Sequence, residues 1–141
     1  MKTLAYAVAV VAALCIAVPA SAGSVVAKID ISSQRMTVLV NGKPAYNWAV
    51  STARRGYRTP VGSYRPKRLE RMWYSTIYDN APMPYSVFFH GGYAIHGTNA
   101  TGRLGMPASH GCVRLATGNA ARLYSLVRQN GMGNSRIVIT R

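Results

Sequence analysis

Ser109-His110-Gly111-Cys112-Val113-Arg114 is the segment that says most about how this chain folds and what chemistry it carries. Its cysteine is one of two in the 141 residues, and the other, Cys15, lies in an apolar N-terminal segment. Removal of that segment would leave Cys112 as the only thiol of the chain. Exported proteins usually pair their cysteines, so a lone thiol beside a histidine and a glycine indicates a reactive group.

The N-terminal segment has the features of a secretory signal peptide. Lys2 supplies a positive charge, Leu4 to Val18 form an apolar run, and Ala20-Ser21-Ala22 is a small-residue cleavage site. The run is too short for a membrane span, which needs about 20 apolar residues. We therefore predict a signal peptide over residues 1–22, a single domain over residues 23–141 and no transmembrane segment after cleavage. Such a protein is exported, to the periplasm or the cell wall.

The chain is strongly basic, with 17 Lys and Arg residues against 3 Asp and Glu residues. A charge of this size concentrates anionic partners near the surface. Inside a cell such a charge would suggest nucleic acid. Because the protein is predicted to be exported, an anionic wall polymer, lipid head groups or an acidic substrate is the expected partner, and nucleic acid is not. A solvated basic face that serves solubility explains the same composition.

The scarcity of carboxylates argues against two classes of hydrolase. The acidic side chains are Asp30, Glu70 and Asp79. A glycosidase needs two carboxylates at the cleavage point, and a zinc metalloprotease usually carries a Glu beside its metal-binding histidines. Neither local pattern occurs in the sequence.

Short alternating runs bounded by turn residues predict a mainly β domain with one clear helix. Asn41-Gly42 is a strong hairpin signal, and Thr117 and Gly131 suit the N-cap and the end of a helix. The predicted strands are 24–30, 35–40, 45–50, 72–78, 86–90, 93–96 and 136–140, and the predicted helix is 120–129. The polar, proline-containing segment 79–85 is predicted to form a flap between two strands.

All the histidines, His90, His96 and His110, precede Cys112 within one segment. A cysteine attacks as its thiolate, and a neighbouring imidazole can take the proton and later return it to a leaving amine. This combination predicts acyl transfer through a thioester. Gly111 removes bulk beside the sulfur, and its N–H or that of Cys112 could bind an oxyanion. Spacing alone leaves both His96 and His110 open as the base.

The segment 109–114, together with His96-Gly97-Thr98 upstream, resembles the signature of the L,D-transpeptidase catalytic domain, also called the YkuD family. The resemblance extends over residues 25–141. Further matching segments are Ile31 to Met36, Val50-Ser51-Thr52, Thr59-Pro60-Val61-Gly62, Met83-Pro84-Tyr85 and Ala94 to Gly97. It implies a YkuD-like β-sandwich without a cofactor or a metal.

The resemblance also implies a reaction on peptidoglycan stem peptides. In this family a cysteine attacks the third residue of a stem tetrapeptide, D-alanine leaves, and the amine of a second stem forms a 3-3 cross-link. Other members join a wall-attached protein, another amine or water. By matching position, Cys112 is the nucleophile and His96 the proton donor and acceptor, while His110 and Gly111 line the site and help to place the oxyanion. Carbapenem-type inhibitors are implied as ligands.

Residues around the motif are expected to contact the substrate, namely Ser109, Arg114, Tyr85 and Tyr93. Arg114 stands where some family members have Asn, and it could hold a substrate carboxylate in bidentate fashion. Each residue also has an ordinary alternative, because the tyrosines could serve packing and Arg114 could bond a backbone carbonyl.

Two other classes of protein fit parts of the sequence. His96, His110 and Cys112, with His90, have the chemistry of zinc ligands, which would make the chain an exported zinc-binding His/Cys domain. A non-enzymatic basic binder would hold wall polymer, lose affinity as the salt concentration rises and be indifferent to alkylation of Cys112.

Overall fold

The computed structural model describes residues 23–141, so the predicted signal peptide over residues 1–22 lies outside the described part of the chain. Within that part, nine strands form two sheets, and one α-helix follows the eighth strand. In chain order the elements are β1 (Val25–Asp30), β2 (Arg35–Val40), β3 (Lys43–Ala49), β4 (Gly62–Tyr64), β5 (Arg68–Tyr74), β6 (Pro82–His90), β7 (Tyr93–Thr98), β8 (Val113–Ala116), α1 (Thr117–Asn130) and β9 (Ser135–Thr140). The predicted mainly β domain with one clear helix is confirmed.

The first sheet has the strand order β3-β2-β1-β9-β4, and the second has the order β5-β6-β7-β8. Two neighbouring pairs run parallel, β1 with β9 and β7 with β8. Parallel neighbours cannot be joined by a tight hairpin, so a long connection, residues 99–112, leads from β7 to β8. This connection ends in the cysteine motif.

One hydrophobic core joins both sheets and the helix. α1 buries Ala120, Leu123 and Val127, which recur at helical spacing. The second sheet contributes large apolar side chains to the same core, namely Val87, Phe89, Ile95, Val113 and Leu115. Because removal of apolar area from water contributes about 25 cal/mol per Å², this shared core holds the two sheets together as a β-sandwich.

The second sheet presents its other face to a site. Successive side chains of a strand point to opposite faces, so Ile95 and Val113 enter the core while their chain neighbours His96, Cys112 and Arg114 lie on the outer face. A smaller apolar cluster covers part of that outer face; its members are Met83, Phe88 and Ala94, with Trp73 and Cys112 packed against them.

The predicted Asn41-Gly42 hairpin joins β2 and β3. Asn41 has a φ of 52° and Gly42 a φ of 78°. Two consecutive residues in the left-handed region are typical of a type I′ turn, whose twist matches that of the flanking strands.

Several strand boundaries differ from the prediction. The strand predicted at 72–78 is β5, Arg68–Tyr74, and residues 75–81 connect it to β6. β5 is an edge strand, and edge strands tolerate charged side chains, which is why the charged run at its start did not look like a strand. β6 begins at Pro82, so half of the predicted flap 79–85 is strand. The short strands β4 and β8 were missed.

The ends of α1 confirm one predicted signal and correct the other. The helix begins at Thr117, and its N-cap is Ala116, which makes no side-chain cap bond. Thr117 is therefore not the N-cap; its hydroxyl donates to Asn99 Oδ1 at 3.3 Å instead. Gly131 ends the helix as predicted, with a φ of 90°. No helix within residues 23–141 is long and apolar enough to cross a bilayer.

Candidate active site

A cleft of about 1240 Å³ lies against the outer face of the second sheet. Cys112, His96 and Arg114 line it, together with the connection 75–81 between β5 and β6. The motif and its upstream histidine therefore come together in one cavity, as the sequence predicted.

The parallel pairing of β7 with β8 sets the positions of the reactive groups. His96 is the partner of Arg114 in this ladder, and Ile95 is the partner of Val113. The same register, continued by one residue, places Cys112 beside Ala94. Cys112 and His96 therefore occupy neighbouring strand positions on one face of the sheet.

Cys112 is half-buried, and its thiol donates to the carbonyl oxygen of Gly92 at 3.9 Å. Burial raises the pKa of the Cys112 thiol, while a backbone hydrogen bond at Ala94 and the charge of Arg114 lower it in part. Because the raising effect is the largest, the sulfur holds its proton at neutral pH.

His96 is buried, with 6% of its surface exposed. Its Nδ1 lies 2.8 Å from the carbonyl oxygen of Gly97. A carbonyl can only accept, so Nδ1 carries the hydrogen of this bond and Nε2 is left as an acceptor. Burial lowers the pKa of His96 to about 4; the bond to Gly97 opposes this shift and the charge of Arg114 adds to it. The ring is therefore neutral at pH 7.

The thiol and the imidazole are thus both neutral at pH 7. The sequence alone suggested a thiolate stabilised by a neighbouring imidazolium. Burial disfavours the charged form of both groups, and this effect dominates at Cys112 and at His96. The arrangement suits a base that takes the thiol proton while the sulfur attacks.

The loop before Cys112 is held from inside by Ser109. The Ser109 hydroxyl donates to the carbonyl oxygen of Cys112 at 2.6 Å and accepts the N–H of Gly111 at 3.0 Å. Ser109 has 0% of its surface exposed. Ser109 also lines the cleft; the structure shows its support of the loop, and its contact with substrate stays a prediction. Because the N–H of Gly111 is engaged there, the N–H of Cys112 is the better donor to an oxyanion.

A second hydroxyl, that of Thr59, fixes the same loop from the other side. It donates to the carbonyl oxygen of Gly111 at 2.9 Å and accepts the N–H of Ala53 at 3.0 Å. The backbone of Gly111 has a φ of 139°, and a Cβ there would lie 2.5 Å from Cε1 of Tyr93 and 2.9 Å from the carbonyl oxygen of Arg58. Glycine is thus required by backbone conformation and by space.

His110 forms an aromatic stack beside the sulfur. Its ring lies 4.1 Å from that of Tyr78 in a stacked arrangement and 4.6 Å from that of Tyr57 in a tilted one. Burial, then the charges of Arg54 and Arg114, lower the pKa of His110. His110 therefore forms part of the cleft wall and links the connection 75–81 to the turn around Tyr57.

The two predicted tyrosines both line the cleft and also serve packing. Tyr85 packs against the core, and its ring meets that of Tyr124 edge-on at 5.7 Å. Tyr85 has a φ of 52°, which is uncommon for a bulky residue. Tyr93 stacks on His90 at 6.2 Å. Their side chains are half-buried and each offers the cleft only part of its ring.

The zinc-site alternative has no ligand cluster in the described part of the chain. Within residues 23–141, no three His, Cys, Asp or Glu side chains lie together as metal ligands. His90 contacts Tyr64 and Tyr93, whereas His110 lies against Tyr57 and Tyr78.

The sequence reading missed several residues of the cleft. These are Arg68, Trp73, Phe88 and Tyr78. The guanidinium of Arg68 lies 4.4 Å from the Trp73 ring centre and 4.1 Å from that of Phe88. No local pattern marks these residues, since they meet only through the pairing of β5 with β6 and the turn at 75–81.

Comparison with known proteins gives the same family as the motif. Residues 24–139 match the family profile of the L,D-transpeptidase catalytic domain, YkuD. A comparison with curated protein sequences finds no match. Among solved structures, the chain is similar to an L,D-transpeptidase from Mycobacterium smegmatis, with 21% identity, a TM-score of 0.75, and coverage of 84% of this chain and 59% of that one.

Two further structures show the same fold. One is the L,D-transpeptidase LdtMt1 in complex with imipenem, at 21% identity and a TM-score of 0.74, with 84% of this chain and 59% of that one covered. The other is an L,D-transpeptidase from Mycobacterium tuberculosis H37Rv, at 25% identity and a TM-score of 0.74, with 84% and 58% covered. The chain thus spans less than two thirds of the length of these proteins. On the match over residues 24–139, the chain belongs to the L,D-transpeptidase catalytic domain family, YkuD.

Proposed function

We propose that the protein is a peptidoglycan L,D-transpeptidase in which Cys112 is the nucleophile and His96 the proton donor and acceptor. The observation that carries the proposal is the position of these two residues on one face of paired strands, in one cleft. The bond from His96 to the Gly97 carbonyl supports it further, because it leaves Nε2 free to accept a proton.

The first half of the reaction forms a thioester. His96 Nε2 takes the thiol proton while Sγ of Cys112 attacks the carbonyl carbon of the third stem residue. The amide bond to D-alanine then breaks, and the imidazolium gives its proton to the leaving amine. The acyl group remains on the sulfur, and His96 is neutral again.

The second half transfers the acyl group to an amine. The amine of a second stem peptide attacks the thioester, and His96 takes a proton from it. The C–S bond breaks, the sulfur regains its proton from the imidazolium, and a 3-3 cross-link results. A wall-attached protein or another amine follows the same steps, and water gives hydrolysis instead.

The N–H of Cys112 is the proposed donor to the oxyanion that each half of the reaction forms. Ser109 and Thr59 support this role, because they hold the carbonyl groups of Cys112 and Gly111 and so fix the peptide planes beside the sulfur. His110, Gly111, Tyr85 and Tyr93 form the wall on which the substrate lies.

We further propose export, with the signal peptide over residues 1–22 removed and the periplasm or the cell wall as the destination. The charge of 17 Lys and Arg residues against 3 Asp and Glu residues suits an anionic polymer there. The imipenem complex of the relative LdtMt1 supports carbapenems as acylating inhibitors of Cys112 here.

Intact-mass measurement tests the chemistry. The wild-type protein incubated with a stem tetrapeptide should gain the mass of the tripeptide acyl group, and a carbapenem should add its own mass. Cys112→Ala should show neither adduct. His96→Gln should form the adduct far more slowly than the matched control His90→Gln, because His90 is not among the residues that line the cleft.

Two results would contradict the proposal. One is an adduct on Cys112→Ala with the same mass as the adduct on the wild type. The other is equal acylation rates for His96→Gln and His90→Gln. Mass spectrometry of muropeptides released by muramidase then identifies the acceptor, because cross-linked stems, shortened stems and protein-bound fragments differ in mass.

A further inference from the structure

Arg114 is a half-buried cation in the cleft without an acidic partner. The one ion pair found within residues 23–141 joins Arg68 to Glu70 at 3.7 Å. Residues 1–22 contain no Asp or Glu, so they cannot supply an acidic side chain either. Asp79 also lines the cleft but does not pair with Arg114. A half-buried guanidinium without an acidic partner is suited to bind the anionic group of a ligand.

The backbone brings a second cation, Arg54, to the same place. Ser51 and Arg114 exchange backbone hydrogen bonds of 3.0 and 2.9 Å, and the N–H of Arg54 donates to the carbonyl oxygen of Ser109 at 2.9 Å. The segment 51–54 therefore runs beside the segment 109–114. The Arg54 guanidinium lies 5.0 Å from the ring centre of Tyr57, which itself packs on His110. Arg54 thus contacts Tyr57, a residue that lines the cleft.

The charge of Arg54 disfavours the charged form of Arg114. Burial lowers the pKa of Arg114 most, a Cys112 thiolate would raise it, and the charge of Arg54 lowers it further. Arg54 and Arg114 also act together on His110, whose pKa both of them lower. Because the two cations are close enough to interact, one anion between them would be attracted by both.

The position of Arg114 sets how far this anion lies from the reacting carbonyl. Arg114 is two residues from Cys112 along one strand face, which corresponds to about 6.6 Å. A peptide chain advances by at most about 3.6 Å per residue. The Arg114 side chain adds its own length to this spacing, so the anion belongs to a stem residue near the cleaved bond.

We propose that Arg54 and Arg114 together bind a carboxylate of the stem peptide close to the cleaved amide, so that the protein selects stems in which this carboxylate is free over stems in which it is amidated. The inference rests on the proposed function and adds a substrate class to it. Two groups have this chemistry: the terminal carboxylate of the leaving D-alanine, and the carboxylate of the acidic second residue of the stem.

Calorimetry on the full exported chain carrying Cys112→Ala separates binding from turnover. The probes are three synthetic tetrapeptides: one with both carboxylates free, one with the terminal carboxylate amidated, and one with the second-residue carboxylate amidated. One of the two amidations should weaken binding by about tenfold, as the loss of a charge-assisted bond does. The peptide that loses affinity identifies the carboxylate.

Arginine variants show whether these two residues are responsible. In Arg54→Gln or Arg114→Gln, the same amidation should weaken binding by less than about twofold, because the partner of the carboxylate is already gone. Arg55→Gln is the matched control; it lies in the same turn, is exposed, and should keep the tenfold preference. Arg54→Lys should retain part of it. Thermal unfolding checks that each variant is folded.

The proposal is wrong if amidation costs the same with and without the two arginines, or if Arg55→Gln acts like Arg54→Gln. Its failure can be told apart from failure of the proposed function. Acyl transfer from all three peptides at one rate would leave the transpeptidase intact and remove the carboxylate site. Arginine-dependent binding without any adduct on Cys112 of the wild type would instead support the carboxylate site and contradict the transpeptidase function.

Discussion

Nδ1 of His96 lies 2.8 Å from the carbonyl oxygen of Gly97, the next residue of the chain. This contact fixes the tautomer of a buried ring whose pKa is about 4. The base of the proposed reaction is therefore set by local backbone geometry and by burial, without a carboxylate partner. Four expected outcomes follow from this site.

Removal of the Arg114 charge should make Cys112 less reactive at neutral pH. The pKa of Cys112 is raised by burial and partly lowered by Arg114, so Arg114→Gln raises it further. The thiolate fraction at a given pH falls when the pKa rises, and the pH profile of alkylation moves to higher pH. Iodoacetamide alkylation followed by mass spectrometry from pH 6 to 10 measures this shift. Arg128→Gln, on the helix, serves as the control, and equal profiles for the two variants would contradict the coupling.

His96 should make the folded state sensitive to mild acid. Its pKa is about 4 when folded and 6.5 when unfolded, so the unfolded chain binds more protons between these values. Stability is therefore complete above pH 6.5 and is lost as the pH falls towards 4, by an amount on the order of 3 kcal/mol. Urea unfolding of the wild type and of His96→Gln at pH 7 and 4 measures the difference. An equal loss in both proteins would assign the acid sensitivity to other groups.

Gly111→Ala should destabilise the fold and displace the nucleophile. The new Cβ would lie 2.5 Å from Tyr93 and 2.9 Å from the Arg58 carbonyl, at a φ of 139°. We expect a loss of at least about 2 kcal/mol in the free energy of unfolding. Gly118→Ala is the control, since a Cβ there meets nothing within 4 Å and alanine favours a helix by up to about 1 kcal/mol. A Gly111→Ala protein as stable as the control would show that the loop can move aside.

Tyr78→Ala should loosen the connection 75–81. The Tyr78 ring stacks on His110 at 4.1 Å, and burial lowers the pKa of that histidine. Loss of the ring should raise the pKa of His110 towards its ordinary value and speed amide exchange in the connection. NMR titration and hydrogen exchange measure the two effects. Tyr74→Ala, which removes an exposed ring from β5, should leave both unchanged; similar effects from the two variants would rule out a specific role for the stack.

Local signals predicted much of the fold because they act within a few residues. Asn41-Gly42 determines a hairpin by its own backbone preference, and Gly131 ends α1 for the same reason. β5 was placed wrongly because its charged start is acceptable only at a sheet edge, and a sheet edge is a property of the assembled fold. Thr117 failed as an N-cap because its hydroxyl bonds Asn99 instead.

The candidate site also contains some residues that local motifs predict and others that only the assembled fold brings together. The motif predicted Cys112 as the nucleophile, the resemblance predicted His96 as the proton donor and acceptor, and both residues line the cleft. The bonds by which Ser109 supports the loop could not be predicted, because they depend on the packing around its hydroxyl. Tyr57 and Tyr78 reach the cleft through contacts between segments far apart in the chain, and the sequence carries no local sign of them.

One hydroxyl, that of Thr59, bonds both the segment that precedes Arg54 and the peptide next to Cys112. Together with the bond from the Arg54 N–H to the Ser109 carbonyl oxygen, this hydroxyl links the arginine-bearing turn to the reactive loop. A ligand that binds this turn would therefore also orient the sulfur. A ligand that does not contact the turn would find the sulfur less well oriented. Thr59→Val would remove this link and leave the direct backbone bonds, so binding at the turn and the orientation of the nucleophile would be coupled less tightly.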